Sequence, residues 1–117
     1  MKRFPSIKKH DDYRLIYREG ISKATGTIVM YVRDNGLDHN RLGVSASKKI
    51  GNSVVRHTFA RRIREIFRLN NVNTVQGKDI IVVARNQART ADYHKLERHY
   101  RILLSDHNMI PGEGIEK

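Results

Sequence analysis

Apolar and polar positions along this chain follow two different periods, and the switches between them mark out its elements. Tyr13, Ile16 and Tyr17 recur at the i, i+3, i+4 spacing of one helical face, with Asp11 and Asp12 near the positive end of that helix and Gly20 as its stop. Residues 1–9 are basic, are broken by Pro5 and read as an extended arm. Residues 22–26 read as a polar link. From residue 27 the period shortens to two, placing Ile28, Met30 and Val32 on one face of a strand and Val29, Tyr31 and Arg33 on the other. The Asn35-Gly36 turn signal predicts a hairpin, returning the chain into a strand with Leu42, Val44 and Ala46 on one side and Arg41, Gly43, Ser45 and Ser47 on the other.

After Asn52 the helical period resumes. At about 100° per residue, Val55, Phe59, Ile63, Ile66 and Phe67 form one apolar stripe, with Arg61, Arg64 and Arg68 roughly opposite; Asn52 or Ser53 is available as the cap. Residues 70–77 form a polar loop. Residues 80–84 are a continuous apolar run of the kind buried on both faces of a sheet in parallel pairing, so strand, basic helix and strand make a βαβ unit. A last helix, from about Asp92, repeats Tyr93, Leu96, Tyr100, Leu103 and Leu104 at helical spacing and covers the sheet. The pattern predicts an α+β fold in the order α-β-β-α-β-α, with one domain over residues 1–105 and a flexible tail over residues 106–117.

Charge changes the picture of the central helix. Residues 40–69 carry eight positive charges against Glu65 alone, which is +7 of the protein's net +11. An amphipathic helix can show a charged face merely to water, but such a face usually mixes Glu with Lys in supporting i, i+4 pairs. Stacked arginines repel one another unless something anionic neutralises them, and the guanidinium fork matches phosphate geometry. With a sequence pI near 10.4, the partner implied is nucleic acid or an anionic membrane surface. The membrane reading is the weaker, because no window approaches the roughly 18 apolar residues of a spanning helix and residues 1–9 lack the apolar run of a signal peptide. A cytoplasmic protein is expected. The Tyr13, Ile16, Tyr17 stripe reads either as core packing or, because phenol hydroxyls need partners when buried, as rings that stack on or flank nucleotides.

The run Ser45-Ala-Ser-Lys-Lys-Ile-Gly-Asn-Ser-Val-Val-Arg56, continuing through Arg61-Arg-Ile-Arg-Glu65, resembles the signature of the bacterial ribonuclease P protein subunit. The resemblance extends to the Lys8–Gly20 opening, the Tyr31 strand and the strand from Asp79 to Arg85. It implies a two-layer α/β sandwich shared with a ribosomal protein domain, with a left-handed βαβ crossover where the general rule gives a right-handed one. It also implies an accessory role in the ribonucleoprotein that cuts the 5′ leader from precursor tRNA, the catalytic groups and their Mg²⁺ ions belonging to the RNA subunit. On this reading Lys48, Lys49, Asn52, Arg56, His57, Arg61, Arg62, Arg64 and Arg68 dock on the ribonuclease P RNA. The cleft formed by Tyr13, Tyr17, Val29, Tyr31, Arg33, Arg41, Ser45 and Ser47 holds the single-stranded leader. Where the family usually has Arg-Asn-Arg this chain has Arg56-His57-Thr58, and Ala60 stands where Lys is common, which moves the expected phosphate contacts onto Arg61, Arg62, Arg64 and Arg68.

Other chemistries find no support in the spacing. No cysteine is present, and His94 and His99, five apart, lack the i, i+4 geometry of a helical zinc pair. Asp11 with Asp12 is explained by the helix start, and Asp34 with Asp38 by a turn. No protein-held metal, catalytic group of the protein's own or small-molecule substrate is expected. A ribosomal or general RNA-binding protein with the same patch is the alternative; a nuclease with its own active site is a more distant one.

Overall fold

The structure, a computed structural model, describes residues 4–110. The elements are α1 (His10–Glu19), β1 (Ile21–Ala24), β2 (Ile28–Asp34), β3 (Arg41–Ser45), α2 (Ser53–Asn70), β4 (Lys78–Ala84) and α3 (Tyr93–Asp106), with 3-10 turns at Lys48–Ile50, Asn71–Asn73 and Asn86–Arg89. All four strands join one mixed sheet in the order β1-β2-β4-β3. The β1/β2 and β2/β4 pairs are antiparallel, whereas β3 and β4 are parallel and connected by α2. The α+β class holds, with one strand added.

That strand corrects the first expectation. The supposed polar link contains β1, paired with β2 from Ile21 opposite Val32 to Ala24 opposite Val29. All its residues are exposed, so it has no buried face whose alternation a sequence can display. The predicted hairpin is the second correction. The turn is present, with Gly36 at φ 72°, but β4 lies between β2 and β3. A turn fixes only the direction in which the chain returns. The neighbour is decided by burial: Ile80, Ile81 and Val82 are all fully buried, which only a central strand permits.

On one face of the sheet, α2 and α3 form a helical layer. Asn52 starts α2 by accepting a hydrogen bond at Oδ1 from the Val55 N–H, 3.0 Å away, and Asp92 starts α3 in the same way from Lys95, at 2.8 Å. Phe59, Ile63, Ile66 and Phe67 of α2 and Leu96, Tyr100, Leu103 and Leu104 of α3 close over Ile28, Met30, Val32, Ile80 and Val82. Each such side chain contributes about 1.5–3 kcal/mol by leaving water, against a few tenths of a kcal/mol for each exposed like-charge pair. Packing therefore overrides the repulsion among the outward arginines of α2. On the opposite face lies α1, with Ile16 packed on Ile81 and Ile7 and flanked by Tyr13, Tyr31 and Val83.

A polar network pins β3 beside β4. Asn40, fully buried, accepts from the Lys78 N–H at 2.8 Å and donates through Nδ2 to the Val75 carbonyl at 2.8 Å and to Asn71 Oδ1 at 3.0 Å. Next to it Arg41 makes a bidentate pair with Asp79, Nε to Oδ1 at 2.8 Å and Nη2 to Oδ2 at 2.6 Å, and Asn35 Nδ2 adds a third bond to Asp79 at 2.9 Å.

The packed domain runs past its predicted end at residue 105. Met109 is fully buried, its N–H donates to the Leu104 carbonyl and its carbonyl accepts from the Val75 N–H at 2.7 Å. His107 Nε2–H donates to the Met30 carbonyl at 3.1 Å. Residues 111–117, the rest of the predicted tail, lie outside the described residues, as do the first three of the predicted arm.

Removing one partner of the Arg41–Asp79 pair leaves a buried charge. Asp79 is 5% exposed and Arg41 25%, so Arg41→Met is expected to cost about 3 kcal/mol in urea unfolding, the low end for a buried pair because the guanidinium reaches solvent. Adding Asp79→Leu recovers most of that loss, and no recovery would show that the pair is not the source. Acid should also weaken the fold. Burial first, with Lys23 and Lys78 adding to it, holds the His107 pKa below its usual value against the Met30 bond and Asp106; His99, hydrogen-bonded to Thr27 Oγ1 at 2.7 Å, is lowered by burial and then by Arg98 and Lys95. A folded-state pKa below the unfolded value of about 6.5 means that unfolding takes up protons, so stability is intact above about pH 6.5 and declines below it. The melting temperature is expected to fall from pH 7.5 to 5.5, and to fall less in His107→Asn; an equal fall in both would place the sensitivity elsewhere.

Candidate nucleic-acid interface

The predicted RNA-docking residues follow one another along the 3-10 turn after β3 and along α2. Lys48 and Lys49 are exposed on the 3-10 turn that leaves β3, and Ser47 caps this turn by accepting from the Lys49 N–H at 3.3 Å. One step on, Asn52 spends its carbonyl oxygen on the α2 cap, and His57 is exposed on the helix's first turns. Arg61, Arg64 and Arg68 are exposed along α2, while Arg56 and Arg62 are half-buried.

These arginines are not equivalent. Arg62 Nη1 donates to the Ala91 carbonyl at 3.3 Å, tying α2 to the segment before α3. Arg68 is held by Glu65 through two bonds, Nε to Oε1 at 3.1 Å and Nη2 to Oε2 at 2.6 Å, and this contact holds the Glu65 carboxyl below the usual carboxylate range. Arg61 and Arg64 have no ion pair among the described residues. Arg56 Nε is buried and has no hydrogen-bond partner among them, a donor left with its desolvation cost of about 1–3 kcal/mol unmet by the protein.

The predicted cleft residues share the other face of the sheet. Val29, Tyr31 and Arg33 stand in register with Val83, Ile81 and Asp79 of β4, and these in turn with Ser45, Gly43 and Arg41 of β3. The two predicted rows thus face the same way with a row of β4 between them, and α1 lies across all three. Ser47, just beyond β3, belongs to the turn rather than to the sheet. Three rings line the cleft in a chain: Tyr13 and Tyr17 have centroids 6.4 Å apart, and Tyr17 meets Tyr31 edge-on at 4.9 Å. Tyr17 is 38% exposed, and burial, then the Tyr17 phenol, push the Tyr13 pKa up against the lowering effect of a backbone bond at Val44. The packing and stacking readings of this stripe are therefore not exclusive: Ile16 is core, and Tyr17 is open. The two arginines predicted for the rim serve structure, Arg33 donating to Glu19 at 3.3 and 3.2 Å and Arg41 to Asp79.

Three features escaped the sequence. Gly43 is the slot for Tyr13: a Cβ there would stand 2.5 Å from the Tyr13 hydroxyl and 2.8 Å from its ring carbon Cζ. Phe4 of the arm packs on Phe67, centroids 5.6 Å apart, and with Tyr93 of α3 lines an open groove along Arg61, Arg62, Arg64, Glu65 and Arg68. Finally, a smaller groove between the arm (Phe4, Ser6, Ile7) and β3 is bordered by Tyr13, Leu42, Val44, Ala60 and Arg64, so that one residue of the arginine face and one of the tyrosine cleft share it. A Phe one residue before Pro5 is the only sign of the second; the others depend on long-range register. Among the described residues no three His, Asp or Glu groups converge as a metal site, and no helix is long and apolar enough to cross a membrane.

The chain is similar to proteins of one kind. The family model described as Ribonuclease P matches residues 1–108. The ribonuclease P protein component of Natranaerobius thermophilus is 45% identical over 100 residues, covering 86% of this chain and 87% of that protein, and that of Alkaliphilus oremlandii 39% over 110 residues, covering 94% and 96%. Among solved structures, the RNase P protein of Staphylococcus aureus superposes with a TM-score of 0.85 at 35% identity, covering 93% of this chain and all of that one. The Thermotoga maritima protein gives 0.80 at 30%, covering 86% and 96%.

Gly43→Ala is expected to lower stability by about 1–3 kcal/mol through overpacking against Tyr13. In a Tyr13→Ala background, where the whole ring is gone, the same change should cost clearly less in chemical denaturation. Equal costs in the two backgrounds would mean that the strain is relieved elsewhere.

Proposed function

Because the chain belongs to the ribonuclease P protein family, a component of an endoribonuclease whose partner is RNA, we propose that its α2 face docks on the catalytic RNA while the α1–sheet cleft holds the single-stranded 5′ leader of precursor tRNA. The observation that carries this reading is the continuity of the two surfaces round β3, with Arg64 and Tyr13 bordering the same small groove. Two RNAs bound to these surfaces would therefore lie side by side at one edge of the sheet. On this reading the protein binds and positions, while phosphodiester hydrolysis and its Mg²⁺ ions are the RNA's.

Arg61 and Arg64, without ion pairs among the described residues, supply the charge. Added cations lower phosphate repulsion between two RNAs, so the complex needs less free Mg²⁺ to assemble. His57, in the place of the family's usual Asn, can donate from a ring nitrogen, and Thr58 cannot neutralise a phosphate. The charge therefore falls on the helix beyond its first turns. In the cleft, Tyr17 and Tyr31 present an open ring pair on which bases stack without sequence preference.

Single-turnover cleavage of a precursor tRNA by a bacterial ribonuclease P RNA at low Mg²⁺, with and without this protein, tests the reading. Stimulation is expected to be larger for long leaders than for trimmed ones. Tyr17→Ala should remove about 5- to 150-fold of the affinity for long-leader substrate, the range for one stacked base, and leave trimmed substrate unaffected. Binding should also fall about a thousandfold from 50 to 200 mM salt if about six phosphates are neutralised. Tight RNA binding without stimulation at any Mg²⁺ concentration would sink the proposal in favour of a general RNA-binding protein.

A further inference from the structure

The arginine face of α2 holds more than charge. The groove along it has an opening of about 600 Å³ and a mostly apolar wall, with Phe4 from the arm on one side and Tyr93 from the start of α3 on the other. A surface that meets only phosphates gains nothing from exposing rings. Tyr93 is half-exposed beside the four arginines, and burial, then the carboxylates of Glu97 and Glu65, push its phenol pKa up against the pull of Arg68. Phe4 is anchored by its contact with Phe67, and Phe4 and Tyr93 both pack against the main core, so both walls are held in place.

Glu65 points the same way. It is the only carboxylate of α2 and sits among the groove's arginines, where it would repel a phosphate; it is fixed there by its two bonds to Arg68. The groove is thus divided: Arg61 and Arg64 are without ion pairs, whereas the Glu65–Arg68 end is neutralised and lined by a ring. We propose that this groove takes one unpaired nucleotide of the RNA subunit, its base stacked on Tyr93 beside Phe4 and its phosphates on Arg61 and Arg64. This rests on the RNA-docking role proposed above and specifies it: α2 recognises a base turned out of the RNA fold, not only a phosphate track. Base–ring stacking and phosphate neutralisation make separable contributions to affinity, since only the second releases counterions.

The test is the dissociation constant of a bacterial ribonuclease P RNA transcript measured across a salt series, with the full-length protein and with Tyr93→Ala, Tyr93→Leu, Tyr93→Phe and Arg61→Gln. Tyr93→Ala is expected to weaken binding by about 5- to 150-fold at every salt concentration, leaving the slope of log affinity against log salt unchanged. Tyr93→Leu, which keeps the apolar packing at the head of α3 but removes the ring, should weaken binding nearly as much while melting like the parent. Tyr93→Phe should bind like the parent. Arg61→Gln should instead reduce the slope by about 0.7–0.9. Parent-like affinity in Tyr93→Leu would overturn the stacked nucleotide while leaving the docking role standing. If the unaltered protein failed to bind the RNA with steep salt dependence, both would fall together.

Discussion

The parallel register between β3 and β4 is the constraint on which the rest of the molecule depends. It is held at one end by polar groups that this alignment satisfies: Asn40 closes on Lys78, Val75 and Asn71, and Arg41 lies opposite Asp79 and pairs with it through Nε and Nη2. A slip of one residue would turn every side chain of β3 to the wrong face and leave the Asp79 carboxylate buried without its cation. With that register set, Gly43 falls opposite Ile81 beneath Tyr13, which opens the cleft. The chain leaves β3 at Ser45, turns once and enters α2 at a fixed place. Both candidate surfaces therefore follow from one pairing.

The same register explains how a protein with so many arginines divides their work. Arg41 and Arg33 are paired with carboxylates on the sheet face, Arg68 with Glu65 on α2, and Arg62 is bonded to a backbone carbonyl. Where a guanidinium has a partner it shapes the surface: it sets a strand, holds a helix or neutralises one end of a groove. Where it has none among the described residues, as with Arg61 and Arg64, it faces outward on a helix whose opposite side is buried core. The repulsion this leaves is small beside the burial of Phe59, Ile63, Ile66 and Phe67, so the fold tolerates the charge and keeps it for an anionic partner.

What could be read from the sequence was whatever is local. The α2 stripe, its Asn52 cap, the alternation of β2 and the helical repeat from Tyr93 to Leu104 each depend on neighbours within a turn or two, and each is found where the pattern places it. The basic face and the tyrosine face follow directly from those periods. The errors concern choices made across the chain. Asn35-Gly36 signals a reversal faithfully, yet it cannot say that residues 78–84 will enter the gap it opens. β1 is exposed on every residue and has no pattern to betray it, and Met109, in a polar stretch near Pro111, joins the core in a segment tied back by backbone bonds to Leu104 and Val75. Arg33 and Arg41 were legible as cations on the cleft face but not as spent ones, because Glu19 and Asp79 reach them only in the folded chain.

The arm before α1 joins the two surfaces physically. β3 is a sheet edge, and an open edge with unpaired backbone groups invites pairing with another chain. Here the arm covers it: the Ile7 N–H donates to the Leu42 carbonyl and the Leu42 N–H to the Pro5 carbonyl, both at 2.9 Å, and Ser6 bridges to Leu42. Pro5, which cannot donate to a ladder, contributes only the carbonyl that Leu42 needs. Because successive side chains of an extended segment point to opposite sides, this short run also supplies both faces at once. Phe4 goes to the α2 side, where it meets Phe67 and walls the arginine groove, and Ile7 goes to the α1 side, where it packs with Ile16 and Ile81 under the cleft. Loss of the arm's pairing would thus expose the edge, unseat the ring beside the arginines and loosen the cleft floor together. Residues 4–7, an uncharged stretch inside an arm that reads as basic and extended in the sequence, are, in the fold, the piece through which the two candidate surfaces share one edge of the sheet.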